Sequence, residues 1–146
     1  INMPKRQQEL ERLKAPFSSA IMWMIHLIAE EGLPLIVFET YRGEKRQNYL
    51  KEKGLSNAGA GDSPHNFGLA ADFILDTDRC KVRKREWPEG SGSFYADAWD
   101  YDSPEGKHAY KRLGEIAKSL GLVWGGDWKS LKDYPHVEMA DWRKHT

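Results

Sequence analysis

The sequence predicts an α+β fold, a small and largely antiparallel sheet with helices packed beside it. Apolar residues recur at helical spacing in the N-terminal region and from Lys107 to Leu120, while four short apolar runs have strand character. Stretches rich in Gly, Pro, Asn and Ser separate them. The 146 residues suffice for one domain with a real core, expected to span residues 1–146, and six Trp, six Tyr and five Phe give it bulk despite 30% charged residues.

Lys5 to Leu13 is predicted helical, and Pro16 suits the first turn of a second helix with apolar residues Phe17, Ile21, Met24, Ile25 and Ile28. Gly32 ends it. Leu35-Ile36-Val37-Phe38, bounded by Pro34 and Glu39-Thr40, predicts a buried strand. Glu44 to Lys53 predicts a short helix closed by Gly54, and Ser56 to Pro64 a loop. Gly68 to Leu75 reads as a central strand that carries one charge, Asp72. A basic cluster (Arg79, Lys81, Arg83, Lys84, Arg85) is followed by an acidic stretch from Glu86 to Gly106, together an irregular surface excursion with a short hairpin. Lys107 to Leu120 is a helix capped by Gly121, and Leu122-Val123-Trp124 and His136 to Met139 are the last strands.

Lys plus Arg total 22 and Asp plus Glu total 22, so a formal charge of zero gives no global electrostatic case for nucleic acid or an anionic membrane. The longest apolar stretch, Ala20 to Ala29, is half the ~20 residues a bilayer requires. No membrane insertion is expected. A single cysteine, Cys80, leaves the redox compartment open, and nothing near Ile1 reads as a signal peptide.

Chemistry concentrates at His65, Asp72 and the Asp133-x-x-His136 pair. Zinc accepts His nitrogen and carboxylate oxygen, and a catalytic site needs three protein ligands with one position left open. Two His and one Asp meet that count. His65 and Asp72 would stand about 23 Å apart on an extended chain, so the segment between them must turn, and Asn66 and Gly68 supply the turn. Pro135 forces an extended entry into His136, which lets Asp133 reach back as a general base without being a ligand. Glu138 shares a strand face with His136 and is expected to support that ligand, or less readily to be one itself.

Ser63-Pro64-His65-Asn66-Phe67-Gly68-Leu69-Ala70-Ala71-Asp72 resembles the SxHxxGxAxD motif of the zinc D-alanyl-D-alanine carboxypeptidases and their relatives. Trp124-Gly125-Gly126-Asp127-Trp128 with Asp133-Tyr134-Pro135-His136-Val137-Glu138 resembles the second motif in the form carried by L-alanyl-D-glutamate endopeptidases of phage endolysins. Tyr41-Arg42, with Arg46-Gln47 behind it, is similar to the family's upstream Tyr-Arg element. The likeness runs from Leu35 to Met139 in the family's order.

That resemblance implies the zinc DD-peptidase fold, which is hedgehog-like, with Zn2+ held by His65, Asp72 and His136. It further implies Asp133 as base, Arg42 facing the scissile carbonyl and Ser63 touching substrate. Trp124 and Trp128 would wall the cleft, core packing being the other reading of both; Asp127 is a weaker candidate base, and a surface salt bridge to Glu39 or Glu44 is the other reading of Arg42. The expected substrate is a peptidoglycan stem peptide, cut between L-Ala and D-Glu by a monomer acting on the bacterial cell wall. Removal of terminal D-Ala is the alternative. Gly61-Asp62-Ser63 also matches GDS-type serine esterases, but Pro64 is awkward there and His65 and Asp72 are left unexplained. A zinc-retaining domain that binds wall peptide without cutting it is a third reading, against which the intact Asp133 argues.

Overall fold

The computed structural model describes residues 4–80, 85–86, 88–95 and 97–146. Three helices, α1 (Phe17–Glu30), α2 (Glu44–Glu52) and α3 (Pro104–Ser119), accompany six strands, β1 (Leu35–Glu39), β2 (Ala70–Leu75), β3 (Arg85–Glu86), β4 (Phe94–Tyr95), β5 (Leu122–Trp124) and β6 (His136–Met139). The main sheet has the order β1-β2-β6-β5 with every neighbour antiparallel, and β3 and β4 form a separate hairpin within the expected excursion. Of the basic cluster, Lys81, Arg83 and Lys84 lie outside the described residues. No helix among the described residues is long and apolar enough to cross a membrane.

The core forms where α1 and α3 lay their apolar stripes on the sheet. Phe17, Ile21, Met24 and Ile28 of α1 meet Leu113, Ile116 and Ala117 of α3 and Phe73, Leu75 and Val137 of the strands. Helix α3 starts three residues earlier than the apolar period predicts, because Ser103 Oγ accepts the Gly106 N–H and Pro104 occupies the first turn. β1 is an edge strand with Ile36 exposed, where the apolar run predicted a buried one; apolar content does not distinguish a central strand from an edge packed on one face. Its register slips between Val37 and Glu39, a bulge beside which Phe38 and Glu39 both line the main cleft.

The helix expected from Lys5 to Leu13 does not form. That segment runs irregularly along β1 and its exit: the Thr40 N–H donates to the Gln7 carbonyl at 2.8 Å and the Thr40 hydroxyl to the Glu9 carbonyl at 2.5 Å. Arg6 lies over the Phe38 ring and Arg12 over the Tyr41 ring, each 3.8 Å from the centroid. Tertiary hydrogen bonds and cation–π contacts at this edge outweigh a local propensity worth only tenths of a kcal/mol per residue.

Trp124 illustrates the closeness of the packing. Its indole lies over Gly114 of α3, and a Cβ added at Gly114 would come 2.3 Å from the ring. Helix propensity alone would make Gly114→Ala stabilising by about 1 kcal/mol. The overlap should win, giving a net loss of about 1–3 kcal/mol in urea-unfolding measurements. A neutral or stabilising result would show that Trp124 repacks freely.

Candidate metal centre

Asp72 is the third residue of β2, and its register partner across the sheet is His136, the first residue of β6. Directly opposed residues on antiparallel strands project from the same face, so sheet pairing alone sets these two groups side by side. His136 Nδ1 lies 3.1 Å from Asp72 Oδ1. His65 approaches from a short 3-10 turn, Pro64–Phe67, built by reciprocal capping: Ser63 Oγ accepts the His65 N–H at 3.3 Å and Asn66 Oδ1 accepts the Ser63 N–H at 3.3 Å. Gly68 then reverses the chain at φ 70°, where an added Cβ would stand 2.4 Å from the Arg12 carbonyl oxygen. The turn leaves His65 Nε2 at 3.2 Å from Asp72 Oδ2.

One donor atom from each of His65, Asp72 and His136 therefore lies within 4.8 Å of the others. The far side of each imidazole fixes which nitrogen faces inward. His65 Nδ1 lies 2.7 Å from the Thr40 carbonyl, which can only accept, so Nδ1 carries a proton and Nε2 is the nitrogen left to face Asp72 or a cation. His136 Nε2 lies 2.7 Å from Glu138 Oε1, which orients Nδ1 toward Asp72. Glu138 is thus in contact with His136, two residues back on the same strand face.

The electrostatics of this cluster favour positive charge. Burial would raise the Asp72 pKa, but the two imidazoles hold it well below the ordinary carboxylate value. Burial likewise disfavours His136 imidazolium, yet hydrogen bonds to Asp72 and Glu138 and the charges of Asp72 and Asp133 push its pKa up to about 10. Two nitrogen donors, one carboxylate and oriented outer partners match a three-ligand metal site with a position left for substrate.

Arg42 is buried, not on the surface. It donates from Nη2 to Glu39 Oε1 at 2.8 Å and from Nη1 to Gln47 Oε1 at 3.0 Å, and Nη2 stands 3.8 Å from Asp72 Oδ2. Burial raises the Glu39 pKa, but Arg42 and Arg46 together hold the carboxyl below its ordinary value. Gln47, fully buried, also donates to Ser56 Oγ and the Ala58 carbonyl, tying Arg42 to the loop before His65.

Asp133 lines the same cleft, a cavity of about 720 Å³. Burial and the nearby Asp72 charge raise its pKa, although His136, His65 and Arg42 counter them. Its backbone is held by Gly125, whose carbonyl accepts the Asp133 N–H at 3.0 Å and which has no room for a side chain, an added Cβ falling 2.3 Å from the Asp133 oxygen. Ser63 and Trp128 also line the cleft, the Trp128 ring 5.2 Å from that of His136. Trp124 does not line it. Its indole N–H donates to the Tyr134 carbonyl at 2.7 Å and its ring packs in the core, so this expected wall residue is a structural one. Asp127 pairs with Lys118 at 3.0 Å on the surface. Sequence reasoning gave no role to Gln47 or Thr40; Gln47 sits in the quoted Arg46-Gln47 pair, while Thr40 acts here through its main chain, which has no sequence signal.

A family model described as D-alanyl-D-alanine carboxypeptidase matches residues 56–139, which contain all three donors and Asp133. The chain belongs to this family. It is 39% identical to the peptidoglycan L-alanyl-D-glutamate endopeptidase CwlK of Bacillus subtilis across 76% of this chain and 64% of that protein. An L-alanyl-D-glutamate peptidase of a Listeria phage is 30% identical across 74% of this chain and 31% of its own length. The chain thus spans just under two thirds of the first relative and about a third of the second. Among solved structures, the Serratia marcescens L-Ala D-Glu endopeptidase ChiX superposes with a TM-score of 0.60 at 21% identity, covering 99% of this chain and 92% of that one. The vancomycin-resistance D,D-pentapeptidase VanY, solved with Zn(II), gives a TM-score of 0.55 at 17% identity, covering 92% of this chain and 78% of that one. These likenesses establish the carboxypeptidase-family fold.

A cation entering this centre must displace the His136 proton, because without an ion the imidazolium persists up to a pH of about 10. The sign follows: the ion-free fold gains from the imidazolium at acidic and neutral pH and loses that gain as pH rises through about 10, while metal affinity rises over the same range. Calorimetric zinc titrations between about pH 6 and 8 should show roughly tenfold tighter binding per pH unit with release of one proton. Affinity independent of pH would contradict this charge balance.

Proposed function

We propose that the chain is a zinc peptidase that hydrolyses peptidoglycan stem peptides between L-alanine and D-glutamate, acting at the bacterial cell wall. The observation that carries the reading is the meeting of His65, Asp72 and His136 in one cleft with a half-buried, uncommitted carboxylate, Asp133, and a fixed cation, Arg42. The choice of bond is supported by relatives named for L-alanyl-D-glutamate cleavage at 39% and 30% identity.

Zinc, when bound, supplies acidity that makes water ionisable near neutral pH, together with positive charge against a developing oxyanion. The rest falls to the chain's own side chains. Asp133 makes no side-chain hydrogen bond or ion pair among the described residues, and its raised pKa suits it to take the proton of the attacking water. It then returns that proton to the leaving amine. Arg42 is fixed by Glu39 and Gln47 beside Asp72, where its charge opposes negative charge growing on the scissile carbonyl oxygen. Ser63 and Trp128, at the cleft wall, contact the bound peptide.

The second reading, removal of terminal D-alanine, is favoured by the description of the matching family model. Mass spectrometry of digested cell wall separates the two. The expected products are glycan ending in free L-alanine and peptides beginning with D-glutamate; release of D-alanine alone would replace the present reading, and no product from zinc-loaded protein would remove it.

Asp133→Ala should abolish detectable turnover while zinc content stays at one per chain, whereas His136→Ala should lose zinc as well. Arg42→Ala should lower kcat by about 10²- to 10³-fold, the scale of a lost oxyanion partner. Retained activity in Asp133→Ala would rule that residue out as the base.

A further inference from the structure

Arg46 is a cleft-lining cation that the reaction as derived above does not use. It stands in the first turn of α2, and Leu50, one turn later, lines the same wall. Its side chain is 17% exposed, and its Nε donates to Glu39 Oε2 at 3.0 Å. The other oxygen of that carboxylate takes Arg42 Nη2 at 2.8 Å. One buried acid thus holds two guanidinium groups.

The charge count is unequal. Glu39 carries one negative charge against two guanidinium groups, so within this trio one positive charge is left unmatched. Among the described residues no acid other than Glu39 lies within 4.0 Å of an Arg46 nitrogen, and neither Nη atom has a hydrogen-bond acceptor. Asp62, on the same cleft wall, makes no ion pair with it. The Nε bond to a buried carboxylate fixes the plane of the fork, leaving its two terminal donors oriented in advance. A planar, pre-set fork of this kind matches a carboxylate.

Arg46 lies one carboxylate further from the metal ligands than Arg42, which is 3.8 Å from Asp72. A residue next to the scissile bond would therefore place its own substituent near Arg46. Glutamate is a dicarboxylic acid. Once the peptide continues through one of its carboxyl groups, the other remains as a free anion within one residue of the cleaved amide.

We propose that Arg46 anchors that free carboxylate of the D-glutamate on the leaving-amine side, so the site selects stem peptides in which this group is ionised over those in which it is amidated. The inference rests on the L-alanyl-D-glutamate reading and names the chemical group recognised there. Arg46 is a specificity residue; the proton transfers do not pass through it.

The test compares two synthetic peptides, one with D-glutamate and one with D-isoglutamine after L-alanine, on zinc-loaded wild type, Arg46→Gln and Arg46→Lys. Wild type should prefer the carboxylate by about 10- to 100-fold in kcat/KM, mostly through KM, as expected of a charge-assisted bidentate contact. Arg46→Gln should bring the two peptides within about twofold of each other, and Arg46→Lys should keep part of the preference. A purely structural role for Arg46 would slow both peptides alike and leave their ratio unchanged. That result, or no preference in wild type, overturns the proposal. Failure of wild type to cut either peptide would instead remove the assignment of the bond. Calorimetric binding of the two product-side peptides to wild type and Arg46→Gln then decides: carboxylate preference lost in the variant supports the anchor, and equal affinities in wild type overturn it.

Discussion

The structure turns on one carboxylate set in the middle of a sheet. Asp72 projects from central strand β2 between His65 Nε2 at 3.2 Å and His136 Nδ1 at 3.1 Å, with Arg42 3.8 Å away. A charged group in such a place costs several kcal/mol unless partners surround it, and each partner here comes from a different part of the chain. The neighbouring architecture answers that requirement: strand pairing delivers His136, the 3-10 turn delivers His65, and the exit of β1 delivers Arg42. An ion bound at this point would replace a proton that the cluster already stabilises.

Outside this centre a second layer of contacts keeps the donors aimed. The Thr40 carbonyl fixes the tautomer of His65, and the Thr40 hydroxyl is anchored to the carbonyl of Glu9 in the N-terminal segment. Asn66 ties the turn that carries His65 to Arg42, donating to the Arg42 carbonyl at 2.9 Å while accepting from Gly61 and Ser63. Gln47 joins Arg42 to the loop at Ser56 and Ala58. A disturbance at residue 9 or residue 58 is therefore connected to the centre by at most a few hydrogen bonds. This is how the chain holds His65, Asp72, His136 and Arg42 in register without a disulfide.

Local signals in the sequence located most of this. Hydrophobic period placed α1 and α3, short β-branched runs placed the sheet strands, and Gly32, Gly54 and Gly121 marked helix ends where the backbone does adopt positive φ. The three residues of the candidate metal centre were legible because the motif carries its own geometry: Gly68 is the turn and Asp72 the odd charge in an apolar strand. What remained hidden depends on distant partners. The Lys5 to Leu13 segment has helical composition, but its hydrogen bonds go to Thr40 and Val37. The pairing of Glu39 with Arg42 was open to sequence reading only as a surface salt bridge, because nothing beside Glu39 in the sequence says that two arginines will meet it in a buried place. Trp124 left cleft wall and core packing both open, because the space above Gly114 and Gly126 that its ring fills exists only in three dimensions.

The acids around the centre show how similar side chains acquire different tasks. Glu138 is committed to His136 Nε2 at 2.7 Å, which leaves it orienting a ligand. Glu39 is committed to Arg42 and Arg46, and Asp127 sits at the surface against Lys118. Asp72 is committed to both imidazoles, with its pKa depressed. Asp133 alone among these five combines a place on the cleft wall, no side-chain partner among the described residues and a pKa shifted upward by burial and by Asp72. A general base must be able both to accept a proton and to release it, which a carboxylate locked in an ion pair does poorly. Elimination as well as position thus supports the role proposed for Asp133, whose backbone is held by the carbonyl of Gly125, a residue with no space for a side chain.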